Sequence, residues 1–385
     1  MRFPRFVGSV FATLVVAATL VFVPALPASA METSAKQAFV VDFDTSTVLL
    51  EKNADTLMPP SSMSKLMTIY MLFDRLKEGS VSLTDEFSVS ERAWRTGGSK
   101  MFVQVGSRVK VEDLLRGIII ASGNDACVVV AENLAPSEAE FAGMLTKKGR
   151  EIGLQHSTFK NAAGLPHPEH MMTARDLAVL ARRIIADFPQ YYPIFKDLTY
   201  TYNNIQQGNR NPLLYQPATG ADGLKTGHTE AGGYGLTASA IRDGRRLIMV
   251  LNGLESMKAR AQESERLIDW AFREFDNVRL FAGGETVVNA EVWLGDKATV
   301  PLVPVDTIRV TLPRRNTKDM KVAAVYQGPI AAPIRKGDRL AALTITSQSM
   351  PPIEIPLVAG EDVERLGFVG RLGAAAKSVI FGSIN

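Results

Sequence analysis

A helical stretch held between two strand pairs constrains this 385-residue chain more than any other feature. On the N-terminal side, Ala38–Phe43 and Thr47–Glu51 flank the turn-forming Asp44-Thr45-Ser46, the pattern of a β-hairpin. Further along, Gly235–Ile241 and Arg246–Gly253 flank Arg242-Asp243-Gly244-Arg245, where Asp-Gly supplies the positive φ of a tight hairpin turn. Between them, apolar residues at Leu66, Ile69, Tyr70, Phe73 and Leu76 recur at helical spacing up to Gly79, starting just after Pro59-Pro60-Ser61. Helices are also predicted over Val111–Ala121, Asp125–Leu134, Thr173–Ile185 and Ser256–Phe275. Such an order predicts an α+β domain whose antiparallel sheet joins the first segments to the last.

The pattern changes near Asn277, beyond which short runs of Val, Ile and Thr alternate between prolines from Pro301 to Pro356. Residues 277–361 therefore read as a small all-β domain. In 362–385 the pattern turns helical again, with Val363, Leu366, Val369, Leu372, Ala376 and Ile380 on one face and Glu364, Arg371 and Ser378 on the other. A C-terminal amphipathic helix lying on the outer face of the cytoplasmic membrane is the expectation, with Arg365 and Lys377 snorkelling. Gly367, Gly370 and Gly373 weaken it, and a helix packed on the β domain is the alternative. At the other terminus, Arg2 and Arg5 precede an apolar run from Phe6 to Val23 and the small-residue ending Ala28-Ser29-Ala30. Residues 1–30 thus read as a secretory signal peptide cleaved after Ala30, with a retained anchor as the alternative. The mature protein then works outside the cytoplasm.

Lys and Arg total 43 against 40 Asp and Glu, a formal charge of +3, which gives no electrostatic case for nucleic acid. A single cysteine, Cys127, excludes an intramolecular disulfide and a multi-thiolate metal site. No cofactor motif is found, and no metal site is predicted. His167-Pro168-Glu169-His170 reads as a polar loop rather than a metal pair, because Pro168 disfavours the helix that would align the two imidazoles.

Three short motifs carry the chemistry: Ser62-Met63-Ser64-Lys65, Ser122-Gly123-Asn124 and Lys225-Thr226-Gly227. Ser62 falls at the N-terminus of an apolar helix with Lys65 one turn later on the same face. A serine hydroxyl needs a base, and a lysine serves when desolvation or a neighbouring cation such as Lys225 lowers its pKa. The helix N-terminus favours the oxyanion formed on attack. Ser122, in a break between two helices, is placed to relay a proton to a leaving amine, and Asn124 offers an amide to a peptide backbone. Lys225 and Thr226 lie in a polar strand ending at Gly227, where a glycine lets substrate pack against the strand edge. Cys127 reads as a buried small apolar residue whose nearness to Ser122 makes thiol reagents candidate inhibitors.

With Ser122-Gly123-Asn124-Asp125-Ala126-Cys127, Asn209-Arg210-Asn211 and Asp222–Thr229 added, the chain resembles the low-molecular-mass penicillin-binding D-alanyl-D-alanine carboxypeptidases of the S11 peptidase family. The resemblance implies that residues 31–276 form a transpeptidase-like domain of the penicillin-binding/β-lactamase type, followed by the β-rich domain and tail. It implies a periplasmic enzyme that removes D-Ala from peptidoglycan stem peptides ending in D-Ala-D-Ala through a serine acyl-enzyme, and that is acylated by β-lactams. It further implies an oxyanion hole from the Ser62 and His228 N–H groups, and a terminal carboxylate held by Arg210, Thr226 and Thr229. Arg210 suits that role because a guanidinium grips a carboxylate in two bonds. Where the family commonly has Asn-Pro-His-Gly-Leu or Asn-Pro-Ser-Gly-Leu, this chain has Asn161-Ala162-Ala163-Gly164-Leu165. Alternatives are a β-lactamase or DD-endopeptidase with the same acylation machinery, and an idle peptidoglycan-binding scaffold.

Overall fold

A computed structural model of the protein describes residues 31–314, 320–347, 350–367 and 370. The signal reading of 1–30 and the tail beyond 370 lie outside the described residues.

The two predicted hairpins meet in one sheet. Strands β1 (Gln37–Asp42) and β2 (Val48–Lys52) pair with Val40 opposite Leu50, and β1 also pairs with a strand from the far end of the domain, Val40 opposite Met249. With β3 (Ala221–Thr229), β4 (Gly233–Arg242) and β5 (Arg245–Leu254), the order is β2-β1-β5-β4-β3, antiparallel throughout. An edge strand keeps one row of backbone groups unpaired by the sheet. Here β3, with its Lys225-Thr226-Gly227, occupies that edge.

Six helices of nine residues or more cover the described chain: α1 (Lys65–Glu78), α2 (Val111–Ile119), α3 (Asn124–Leu134), α4 (Glu138–Glu151), α5 (Ala174–Asp187) and α6 (Met257–Glu274). α1 is apolar almost all round, with Leu66, Met67, Ile69, Leu72 and Phe73 fully buried, so it runs through the core and not over it. Thr173 and Ser256 cap α5 and α6 by accepting from Asp176 and Ala259 N–H, which fixes where these helices start. α4 escaped the sequence reading because it buries little beyond Phe141, Ala142 and Leu145.

Among the described residues from Phe275 to Ala359 the regular structure is β, as read. Six strands form one sheet in the order Lys321–Tyr326, Arg339–Ser347, Met350–Ala359, Thr299–Val303, Val288–Trp293 and Ile330–Ala331, and Phe275–Phe281 pairs with Ile308–Pro313. Its core holds Leu302, Leu343, Ile345 and Leu357. One expectation is overturned at its end. Val363, placed on the apolar face of an amphipathic helix, instead bridges Ile334 in β fashion and is fully buried, and Arg365 bridges Gly295. The cause is tertiary: an extended Val363 completes the core of the β domain, which a solvated helix cannot do.

A polar joint ties the two regions. Buried Asp42 receives Arg245 Nε at 2.8 Å and Asn277 Nδ2 at 3.2 Å, Arg245 Nη1 donates to Phe275 O at 2.6 Å, and Thr311 Oγ1 donates to Asn277 Oδ1 at 2.8 Å.

Candidate active site

Ser62 lies on a single 3-10 turn, Ser61–Ser64, so Lys65 is the first residue of α1 and the serine precedes the helix proper. The i, i+3 spacing still brings the two side chains together, with Lys65 Nζ 2.7 Å from Ser62 Oγ. The amine also donates to Ala163 O at 2.6 Å, in the loop where the sequence departs from the family pattern. The backbone there is built by Asn161, whose Oδ1 accepts from the N–H groups of Ala163, Gly164 and Leu165. At Gly164, φ is +76° and a Cβ would stand 2.0 Å from Ser61 O, so only glycine lets the loop approach the serine turn.

Ser122 occupies the break between α2 and α3 with φ of +59°, and Lys225 Nζ reaches its hydroxyl at 3.0 Å. Both side chains are buried, the lysine also donating to Thr226 O. Two lysines are therefore held out of water close to one another. Burial pushes the Lys65 amine down to about 8, with the Arg210 charge adding to it, and burial followed by the Lys65 and Arg210 charges drives Lys225 well below the ordinary lysine range. For Lys65, desolvation therefore outweighs the neighbouring cation that the sequence suggested.

A cleft of about 480 Å³ opens over these groups, lined by Ser62, Ser122, Arg210, Thr226, Gly227 and His228. Four further lining residues, Ser99, Tyr234, Met257 and Arg260, were not read from the sequence. Arg210 Nη1 donates to Ser99 Oγ at 2.7 Å, and Tyr234 stacks on His228 with ring centroids 3.9 Å apart. Arg260 is buried, lies 5.9 Å over the Tyr234 ring and leaves its Nε without a partner; burial lowers its pKa to about 10. No local motif marks these residues, since they reach the cleft from a loop (Ser99), from β4 (Tyr234) and from α6 (Met257 and Arg260).

Two predicted site residues make contacts that the sequence did not suggest. Asn124 is only 5% exposed and its Nδ2 donates to Gly97 O at 2.8 Å, so it clamps the loop that carries Ser99. Thr229 stands apart from Arg210: its hydroxyl bonds Ser61 Oγ at 3.0 Å and accepts from Gly232 N–H, and it lines a different cleft. Gly227 lines the cleft on the edge strand, and the serine turn also requires a glycine there, because a Cβ would meet Pro60 O at 2.9 Å and Met63 Cγ at 3.1 Å. Strand β3 also runs past it to Thr229. Cys127 is buried, as read, and burial raises its thiol to about 12, which removes the thiolate that reagents attack. His170 is buried while His167 is exposed, and among the described residues no three His, Cys, Asp or Glu side chains are grouped to hold a metal.

A serine bonded to a desolvated amine, a second serine–lysine pair beside it and an arginine at the same cleft have the makings of a serine acyl-transfer site. The D-alanyl-D-alanine carboxypeptidase (peptidase S11) profile matches residues 25–255, and that of the penicillin-binding protein 5 C-terminal domain matches 275–365. The chain is 38% identical over 345 residues to the D-alanyl-D-alanine carboxypeptidase DacC of Escherichia coli (strain K12), covering 88% of this chain and 86% of that one. Penicillin-binding protein 5 from Haemophilus influenzae superposes with a TM-score of 0.81 at 32% identity, over 87% of this chain and 99% of that one. The ampicillin-bound penicillin-binding protein D2 from Listeria monocytogenes does so with 0.58 at 26% identity, over 63% and 98%. The chain belongs to the S11 peptidase family and is a serine-type D-alanyl-D-alanine carboxypeptidase. The β-lactamase, endopeptidase and scaffold alternatives are not favoured by these relatives.

Proposed function

We propose that Ser62 is the nucleophile, with Lys65 as its base, and that the substrate is the peptidoglycan stem peptide. Ser62 Oγ adds to the carbonyl between the two terminal D-alanines as Lys65 Nζ takes its proton. The oxyanion is met by the Ser62 and His228 N–H groups. Collapse breaks the C–N bond, Ser122 passes a proton to the leaving amine with Lys225 beside it, and free D-alanine departs. Water then cleaves the acyl-ester and returns Ser62. Arg210 and Thr226 receive the terminal carboxylate of the peptide, and β-lactams acylate the same serine.

The observation that supports this most is the 2.7 Å contact of Ser62 Oγ with an amine whose pKa burial brings to about 8. Such an amine is neutral in part near physiological pH, which an exposed lysine is not. Residues 31–276 carry the chemistry and 277–361 form the β-rich domain behind it. A signal in 1–30 directs the protein to the periplasm, and the tail beyond the β-bridged Val363 and Arg365 tethers it to the outer face of the cytoplasmic membrane. Among the described residues no helix is long and apolar enough to cross a membrane. The decisive experiment is Ser62→Ala, followed by D-alanine release from a pentapeptide and by labelled penicillin: both are lost, and a variant that still takes up label refutes the assignment.

A further inference from the structure

A second cleft, of about 330 Å³, adjoins the turn that carries Ser62. Its walls are mostly apolar, with Leu165, Pro166, Met171 and Ala231 among them, and it reaches Ser61, Thr229 and His170. Its position along β3 follows directly from the register. The catalytic cleft touches Thr226, Gly227 and His228, and this one touches Thr229 and Ala231. Extended chains rise about 3.3 Å per residue, so a peptide lying along β3 with its carboxylate at Arg210 and Thr226 has its third residue from the end two steps and roughly 7 Å on, past Gly227 and next to Thr229.

His170 supplies a second, independent observation. It is 2% exposed, and its ring packs edge-on against Phe159 with centroids 5.6 Å apart. Its Nδ1 accepts from Lys160 N–H at 3.2 Å, which puts the proton of the neutral ring on Nε2. That Nε2 is buried with no hydrogen-bond partner. Burial lowers the imidazole pKa to about 4, so the ring is neutral in the working range. A buried donor without an acceptor is costly, and a ligand that brings the acceptor recovers the loss.

We propose that this cleft receives the side chain of the residue preceding the two D-alanines, and that it selects an unbranched aliphatic chain ending in a hydrogen-bond acceptor, which His170 Nε2 meets. The inference rests on the substrate orientation given above, with the carboxylate at Arg210.

The test is a set of acylated tripeptides X-D-Ala-D-Ala, with X as L-alanine, L-norleucine or L-2-aminoadipate, compared by kcat/KM for D-alanine release from the full chain. Norleucine should exceed alanine by about tenfold or more, the usual worth of methylenes in an apolar pocket, and aminoadipate should exceed norleucine. In Ala231→Trp, which narrows the mouth, the ratios to the alanine peptide should fall towards one. In His170→Phe, which keeps the packing on Phe159, the advantage of aminoadipate over norleucine should vanish while that of norleucine over alanine remains. Equal rates across the three peptides overturn the proposal, and norleucine favoured with aminoadipate no better overturns the role of His170. Cleavage of the alanine peptide is read separately: its absence refutes the carboxypeptidase reading, whatever the ratios.

Discussion

Beneath the catalytic cleft the protein buries Lys65, Lys225, Ser122, Asn124 and Asp125, whereas among the described residues from 275 onward Thr311 is the buried polar side chain and sits at the joint, outside the apolar core. The two regions therefore spend burial differently. In the β domain, Leu302, Leu343, Ile345 and Leu357 contribute the ordinary hydrophobic gain and nothing reactive. In the catalytic region, burial is imposed on amines that water would stabilise, and the cost appears as an amine of lowered pKa beside a serine hydroxyl. Stability concentrated in the surrounding helices and sheet is what holds those amines in place.

Changing the reactive core should cost rate before stability. In Lys65→Ala, acylation by labelled penicillin should slow by about 10²–10⁴-fold, the usual worth of a general base, with the far-ultraviolet circular dichroism of the native chain retained. The pH profile of wild-type acylation sharpens the point. Below about 8 Lys65 keeps its own proton and cannot accept that of Ser62, so the second-order rate constant should rise with pH and level off above that value. A rate that is flat across this range would separate the base from Lys65.

At the joint between the regions, Asp42→Ala leaves the Arg245 guanidinium buried without its carboxylate and should destabilise the fold by about 3–5 kcal/mol in chemical denaturation. In the β core, Leu343→Ala should cost about 2–5 kcal/mol by the same measurement, yet leave the acylation rate constant of the folded protein unchanged. A fall in that rate constant would show that the β domain tunes the cleft and would break the contrast. The smallest effect should come from Arg210→Ala, which removes a charge-assisted contact worth about 1.5–3 kcal/mol and should lower kcat/KM for the free acid while leaving that for its C-terminal amide nearly unchanged.

Much of this arrangement is legible in the sequence. Serine and lysine three apart at the start of an apolar helix meet because helical geometry makes them neighbours, and Asp243-Gly244 turns a hairpin because of its backbone preferences; both are local properties of the chain. The tail misled for the complementary reason. Apolar spacing at Val363 and Leu366 is compatible with a helix, and only the vacancy beside Ile334 decided that Val363 would enter the β core extended.

What the sequence determined by itself is therefore the spacing that brings Ser62 to Lys65, the alternation of strands and helices and the change to a β domain near Asn277. Tertiary structure alone decided that Lys225 would meet Ser122 across 103 residues of chain, that Asn124 would turn to Gly97 and Thr229 to Ser61, and that Ser99 and Arg260 would share the cleft with Arg210. It also decided how reactive the site is, because a pKa depends on how much water and which charges surround a group, and both are set by packing between segments that local sequence does not encode.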